Sequence, residues 1–120
     1  AAAEGVIITT SLDRDSTDPL AQAFIQGFQK KSGYPADMVS ASTHTAVLVL
    51  AEAMKQVDPS DKAALRQAIA STSINAATGN ISFNKLGEVR KSVQVQVVRD
   101  GSWHHFAVIS DPVLLAPPEE

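Results

Sequence analysis

Three groups of residues in this chain could carry chemistry: an aspartate-rich stretch, Asp13-Arg14-Asp15-Ser16-Thr17-Asp18; three histidines, His44, His104 and His105; and a hydroxyl run, Thr9-Thr10-Ser11. Oxygens at alternate positions of the first would suit calcium. Counted from Asp13 as the opening position of a calcium loop, however, Asp18 stands where the sharp-turn glycine belongs and Phe24 where the bidentate glutamate belongs. These carboxylates are therefore read as helix capping and solvated loop, and no metal site is expected. His104 and His105 are neighbours on an expected strand and should point to opposite faces, so they are poorly placed to share one ion; one is expected to be solvated and the other packed. His44 lies near the start of an apolar helix, either as a hydrogen-bonded structural histidine, the preferred reading, or as a ligand contact.

Thr9, Thr10 and Ser11 end a β-branched run that begins at Gly5. In open α/β sheets ligands lie beyond the carboxyl ends of strands, where short hydroxyl side chains can hold a small polar molecule. The competing and favoured reading is a hydroxyl that caps its own backbone. Thr10, Ser11 and His44 are the three candidate ligand-binding residues. No catalytic set emerges, because there is no Gly-x-Ser-x-Gly elbow and no cysteine nucleophile. Gly79 and Gly87 precede strands and form neither a phosphate loop nor a dinucleotide fingerprint, so no cofactor is expected and the chain is not read as an enzyme.

The elements that must position these residues are clearest from Thr78 to Val108. Val93, Val95 and Val97 alternate with Gln94 and Gln96, the pattern of a strand with buried valines and wet glutamines. Asp100-Gly101 suits a type I′ turn, because both central residues need positive φ, and Trp103 to Val108 returns as the partner strand. Upstream, Gly79 precedes Ile81-Ser82-Phe83, and Asn84 to Gly87 makes a second turn. Asp18-Pro19 opens a helix to about Ser32, with Leu20, Ala21, Phe24, Ile25 and Phe28 on its core stripe and Gly33 as its cap. A second, nearly buried helix is expected over Ser42 to Val57 and a third from Asp61 to about Ser71. Gly5 to Thr10 reads as a buried strand.

The order is strand, three helices, hairpin strands, with about four strands in all. The first strand has no sequence neighbour to pair with. Its partner comes either from the hairpin or from chain beyond these residues, and the second is expected. The 120 residues suit one domain of common size. A net charge of −3 and scattered basic residues argue against a nucleic-acid partner, and no apolar run approaches the ~20 residues that span a bilayer. Ala1 to Gly5 has no positive or apolar region of a secretory signal; such a signal was either removed, or this sequence starts inside a longer one. Ala116 to Glu120 reads as a low-complexity tail.

Four blocks in order resemble the C-terminal third of type I periplasmic substrate-binding proteins of the branched-chain amino-acid ABC transporter class. They are Glu4 to Thr10; Asp18-Pro19 with Phe24 to Phe28; Ala46-Val47 with Leu50 to Ala53; and Thr78 to Phe83 with Gly87 and Val93 to Gly101. The resemblance implies an α/β chain that is part of a two-lobed, Rossmann-like receptor closing on its ligand by a hinge. It assigns residues 1–12 to the second lobe, 13–85 to the first, 86–110 to a hairpin crossing back and 111–120 to a tail. Ile7 to Leu12 and Leu86 to Lys91 would be hinge crossings, with Gly87 near one of them. It implies a small amino acid or carboxylate as solute, an ABC permease and the remainder of the receptor as partners, and a periplasmic or extracellular location. Separately, sheet edges left unpaired by missing partners could pair with another chain, so self-association is expected. The family's main carboxylate-holding loops lie upstream of Ala1, and many relatives carry Tyr-Asp where this chain has His44-Thr45. A sensory receptor lobe and a stand-alone interaction domain are the alternatives.

Overall fold

The computed structural model describes residues 2–116, and the tail beyond Ala116 lies outside the described residues. The elements are β1 (Ile7–Thr10), α1 (Pro19–Ser32), α2 (Met38–Met54), α3 (Lys62–Ser71), β2 (Ile74–Ala76), β3 (Gly79–Phe83), β4 (Val89–Arg90), β5 (Val93–Arg99) and β6 (Ser102–Ile109). The mixed α/β class is as expected. Two three-stranded antiparallel sheets replace the single small sheet read from the sequence, one ordered β1-β5-β6 and the other β2-β3-β4. The second grows from a hairpin that the sequence did not announce, because Ile74-Asn75-Ala76 is too short to show a period.

The first strand finds its partner inside the chain. β1 pairs with β5 from Ile7 opposite Val97 to Thr10 opposite Gln94, which corrects the expectation of a missing neighbour. It is not a buried strand either. Ile7 is 53% exposed, because β1 is an edge strand of its sheet. β5 and β6 join through the expected turn, with Asp100 at φ 51° and Gly101 at φ 75°, the left-handed pair a type I′ turn requires.

Helix boundaries follow local capping. The Asp18 carboxylate accepts from the N–H groups of Leu20 and Ala21, Pro19 opens α1, and Gly33 closes it at φ 77°. α2 starts at Met38, four residues before the expected Ser42, because Asp37 and Ser40 cap each other's backbone N–H reciprocally. The signal was hidden because serine stands where glutamate or glutamine usually does. Asp61 caps α3 as expected.

α2 is far from buried. Only Ala41, Thr45, Val49 and Ala53 face inward, while Val39, Val47, Leu50 and Met54 are exposed, Val47 by 60%. On α1, Leu20 is exposed and Phe24, Ile25 and Phe28 are partly buried against Leu12, Ala36 and Ala41. The radius of gyration is 16.3 Å, against roughly 14 Å for a compact domain of this length. The excess arises because the helices pack with β2 and β3, whereas the β1-β5-β6 sheet packs chiefly within itself. The two groups are joined by the segments before α1 and after β4.

Leu12 has no exposed surface and anchors the cluster beneath α1 and α2. Leu12→Ala in the full-length protein is expected to cost about 2–5 kcal/mol in denaturant unfolding. A loss below about 1 kcal/mol would show that this cluster is not a core.

Candidate ligand-binding site

The stretch between β1 and α1 holds two of the three candidate residues. Thr10 is buried, and its Oγ1 accepts from the Leu12 N–H at 3.3 Å while its O–H reaches the Leu12 carbonyl at 3.5 Å. This is the self-capping arrangement that competed with a ligand role. Ser11 Oγ accepts from Lys91 Nζ at 2.8 Å, across 80 residues of sequence. Lys91 is half-buried, and desolvation pushes its ammonium pKa below the ordinary lysine value.

His44 stands apart from both. It is exposed on α2, with its ring 5.0 Å from that of Phe24, which in turn lies 5.7 Å from Phe28. Together with Ala23, Gly27, Lys31 and Ser32 these residues line an open, mostly apolar groove of about 480 Å³. Neither Thr10 nor Ser11 lines it.

The other two histidines and the aspartate-rich stretch, in contrast, do meet. His105 Nδ1 lies 2.6 Å from Asp13 Oδ2, and His104 Nδ1 lies 3.1 Å from Asp15 Oδ2, which also accepts the His105 N–H. The expectation of one solvated and one packed histidine is corrected: both engage a carboxylate. A register shift opposite Val95 and Gln96 marks a β-bulge just beyond His105, and bulges re-aim the side chains beside them. Among the described residues, no three His, Cys, Asp or Glu side chains are placed to hold one metal ion.

Gln96, expected to face water, has no exposed surface at all. The Asp13-Arg14 segment covers it, with Arg14 Nη1 donating to its Oε1 at 2.9 Å and its Nε2 reaching Asp13 Oδ1 at 3.4 Å. Beside this junction is a cavity of about 340 Å³, lined by Asp13, Ser16, Asp18, Asn75, Asn80 and Gln94 among others. It draws its walls from both packed groups. Asn75 and Asn80 were missed because the β2-β3 hairpin was; their side chains hydrogen-bond each other at 2.9 Å. A second, apolar cavity of about 360 Å³ lies between α2, α3 and β3, with Val49, Leu50, Ile69, Ile81 and Phe83 on its walls. Thr45 and Thr78, hydrogen-bonded at 2.9 Å, also line it. At α2, the Ser40 backbone N–H, assisted by the Ser40 hydroxyl, holds the Asp37 carboxyl below its usual pKa.

Residues 1–102 match the family model described as periplasmic binding protein. No curated protein sequence gives a significant match. Among solved structures, a leucine binding protein from Thermotoga maritima is 29% identical, with a TM-score of 0.82 over 93% of this chain and 33% of that one. A leucine-, isoleucine-, valine-, threonine- and alanine-binding protein from Brucella ovis in its closed conformation has a TM-score of 0.83 at 21% identity, over 98% of this chain and 34% of that one. A solute binding protein of an ABC transporter from R. palustris, solved with benzoate, has a TM-score of 0.81 at 18% identity, over 89% and 30%. At these two lower identities the likeness speaks for the fold. The chain spans about a third of the length of each.

The lowered pKa of Lys91 fixes a sign. The folded protein holds this proton less tightly than the unfolded chain, so its contribution to stability rises as pH increases through the folded value towards the ordinary one. Lys91→Met is expected to flatten that rise, read as a melting-temperature difference from wild type that changes as the pH approaches the ordinary lysine value of 10.5 from below. A difference independent of pH would contradict the assignment.

Proposed function

The chain belongs to the periplasmic binding protein family, and from that premise we propose that it forms part of a two-lobed solute receptor serving an ABC importer. The observation that carries this reading is the division of the chain into two packed groups joined by two crossings, with a polar cavity walled by both. In the proposal β1, β5 and β6 belong to the second lobe, and α1 to α3 with β2 to β4 belong to the first. The chain crosses between them at Ser11–Thr17 and again after Arg90. α2 exposes an apolar face beside an apolar cavity, which supports a chain packed against the remainder of a receptor over a self-contained interaction domain. The protein acts outside the cytoplasm and delivers its solute to a permease.

The proposed solute is a small amino acid or carboxylate. Leucine and benzoate, bound by two of the similar proteins, share a carboxylate beside an apolar body. Binding is closure of the lobes on that solute, which requires the ligand to contact the closed state better than the open one. Of the three candidate residues, His44 has the freest ring, whereas the hydroxyls of Thr10 and Ser11 already have partners.

Calorimetry of the full-length receptor with leucine, the other branched-chain amino acids and benzoate is expected to give binding in the micromolar range or tighter for at least one. Small-angle scattering should show contraction with that ligand. Absence of both binding and contraction across the set would overturn the solute reading. The 120-residue segment made alone is expected to be oligomeric or partly unfolded, because the outer edges of β1 and β6 are unpaired among the described residues and large apolar side chains face solvent. A monomeric, cooperative melt of the segment would contradict the proposal that it is a piece of a larger core.

A further inference from the structure

One face of the β3-β4 hairpin collects polar groups of a single kind. Ile81 is buried on one side of β3, so Asn80 and Ser82 lie on the other, and the register sets Arg90 opposite Ser82 on that same face. Lys91 and Ser92 follow Arg90 directly. At the end of the other sheet Val93 pairs with Ile109, which leaves Ser92 and Ser110 as flanking neighbours. These six residues come from three separate passes of the chain. Together they line one cavity of about 390 Å³, to which Pro112 and Leu115 add apolar wall.

The charge of this lining is one-sided. Each of the six side chains can donate a hydrogen bond, two of them are cations, and no carboxylate lines the cavity. Among the described residues neither Arg90 nor Lys91 forms an ion pair, and Lys91 donates to the uncharged hydroxyl of Ser11. Lys91 is half-buried besides, so its ammonium has lost hydration with no carboxylate in return, which is why its pKa falls. The acidic residues close by in sequence are engaged elsewhere. Asp111 accepts the Val113 N–H and Glu88 accepts from the Asn84 amide, and neither lines the cavity.

We propose that this cavity binds a phosphate- or sulfate-type oxyanion, held by Arg90 and Lys91 with the hydroxyls of Ser82, Ser92 and Ser110. The guanidinium fork can take two oxygens of one ion, while the other donors approach from different strands. A tetrahedral ion presents oxygens in all of these directions, whereas a planar carboxylate does not. Bound there, the ion links the β3-β4 hairpin to the end of the β1-β5-β6 sheet and supplies the counter-charge that Lys91 lacks. Thr10 and His44 do not line the cavity and Ser11 meets it only through Lys91, so the site is separate from the three candidate solute residues and does not rest on the receptor reading.

Backbone amide NMR of the full-length protein, titrated with inorganic phosphate and with sulfate at constant ionic strength, tests it. Saturable shifts are expected at Ser82, Arg90, Ser92 and Ser110, with a Kd of about 1–10 mM. Acetate and chloride at the same ionic strength should leave these amides in place. Arg90→Gln and Lys91→Gln are each expected to weaken phosphate binding roughly tenfold. Lys85→Gln removes an exposed cation of the neighbouring turn that does not line the cavity, and it should leave the affinity unchanged. Arg90 is exposed, so its variant is expected to fold; should Lys91→Gln not fold, the Arg90 and Lys85 variants decide. The titration is repeated in the double variant Glu119→Gln, Glu120→Gln, which removes the carboxylates that follow Ala116 in sequence. Absence of saturable shifts in both forms would overturn the proposal. Equal shifts with acetate, or an equal loss in Arg90→Gln and Lys85→Gln, would show an unselective positive surface and overturn it as well.

Discussion

The antiparallel pairing of β1 with β5 is the constraint on which the rest of the arrangement depends. Because Thr10 stands opposite Gln94, the chain leaves one strand and enters the other at the same end of the sheet. Both crossings are thereby brought side by side, which is how Ser11 and Lys91 come within 2.8 Å of each other. The pairing closes a loop of some eighty residues, and the entropy of that closure must be offset by β5 and β6, whose extended ladder gives β1 a ready edge.

Around that constraint, polar groups are used where a small sheet has no second layer. A three-stranded sheet with one face covered only by a loop cannot bury enough apolar area to hold that loop by hydrophobic contact. Gln96 supplies a donor and an acceptor at its centre, and the two His–Asp contacts flank it. Each exposed His–Asp contact is worth little alone. Their effect comes from sharing one short segment with a buried amide, so that no member can leave without disturbing the others.

Much of the local structure was legible in the sequence, and most of the packing was not. Asp18-Pro19 with Gly33 marked α1 because capping depends on neighbours in sequence, and Asp100-Gly101 marked its turn for the same reason. The identity of α2 as a helix was equally plain, but its burial was not, since an apolar helix looks alike whether its partners lie within the chain or beyond it. Gln96 shows the limit most clearly. Alternation with Val95 and Val97 places it correctly on the other face of β5, yet nothing nearby in sequence says that Asp13 and Arg14 will cover that face. Thr10, Ser11 and His44 are polar groups near expected strand and helix ends; the structure uses the first two in its own framework and leaves His44 on an aromatic groove.

The distance in sequence between β1 and β5 also sets an order of events in time. Ile7 pairs with Val97, so at a synthesis rate of about 5–20 residues per second the first strand waits roughly 5–20 s for its partner to emerge. During that interval α1, α2 and α3 can form, each having its own cap, whereas β1 presents an unpaired backbone edge and the side chains of Val6 and Ile7 to whatever lies nearby. A segment whose helices are local and whose sheet is last is one whose vulnerability to misassembly is concentrated in a single early strand of four residues.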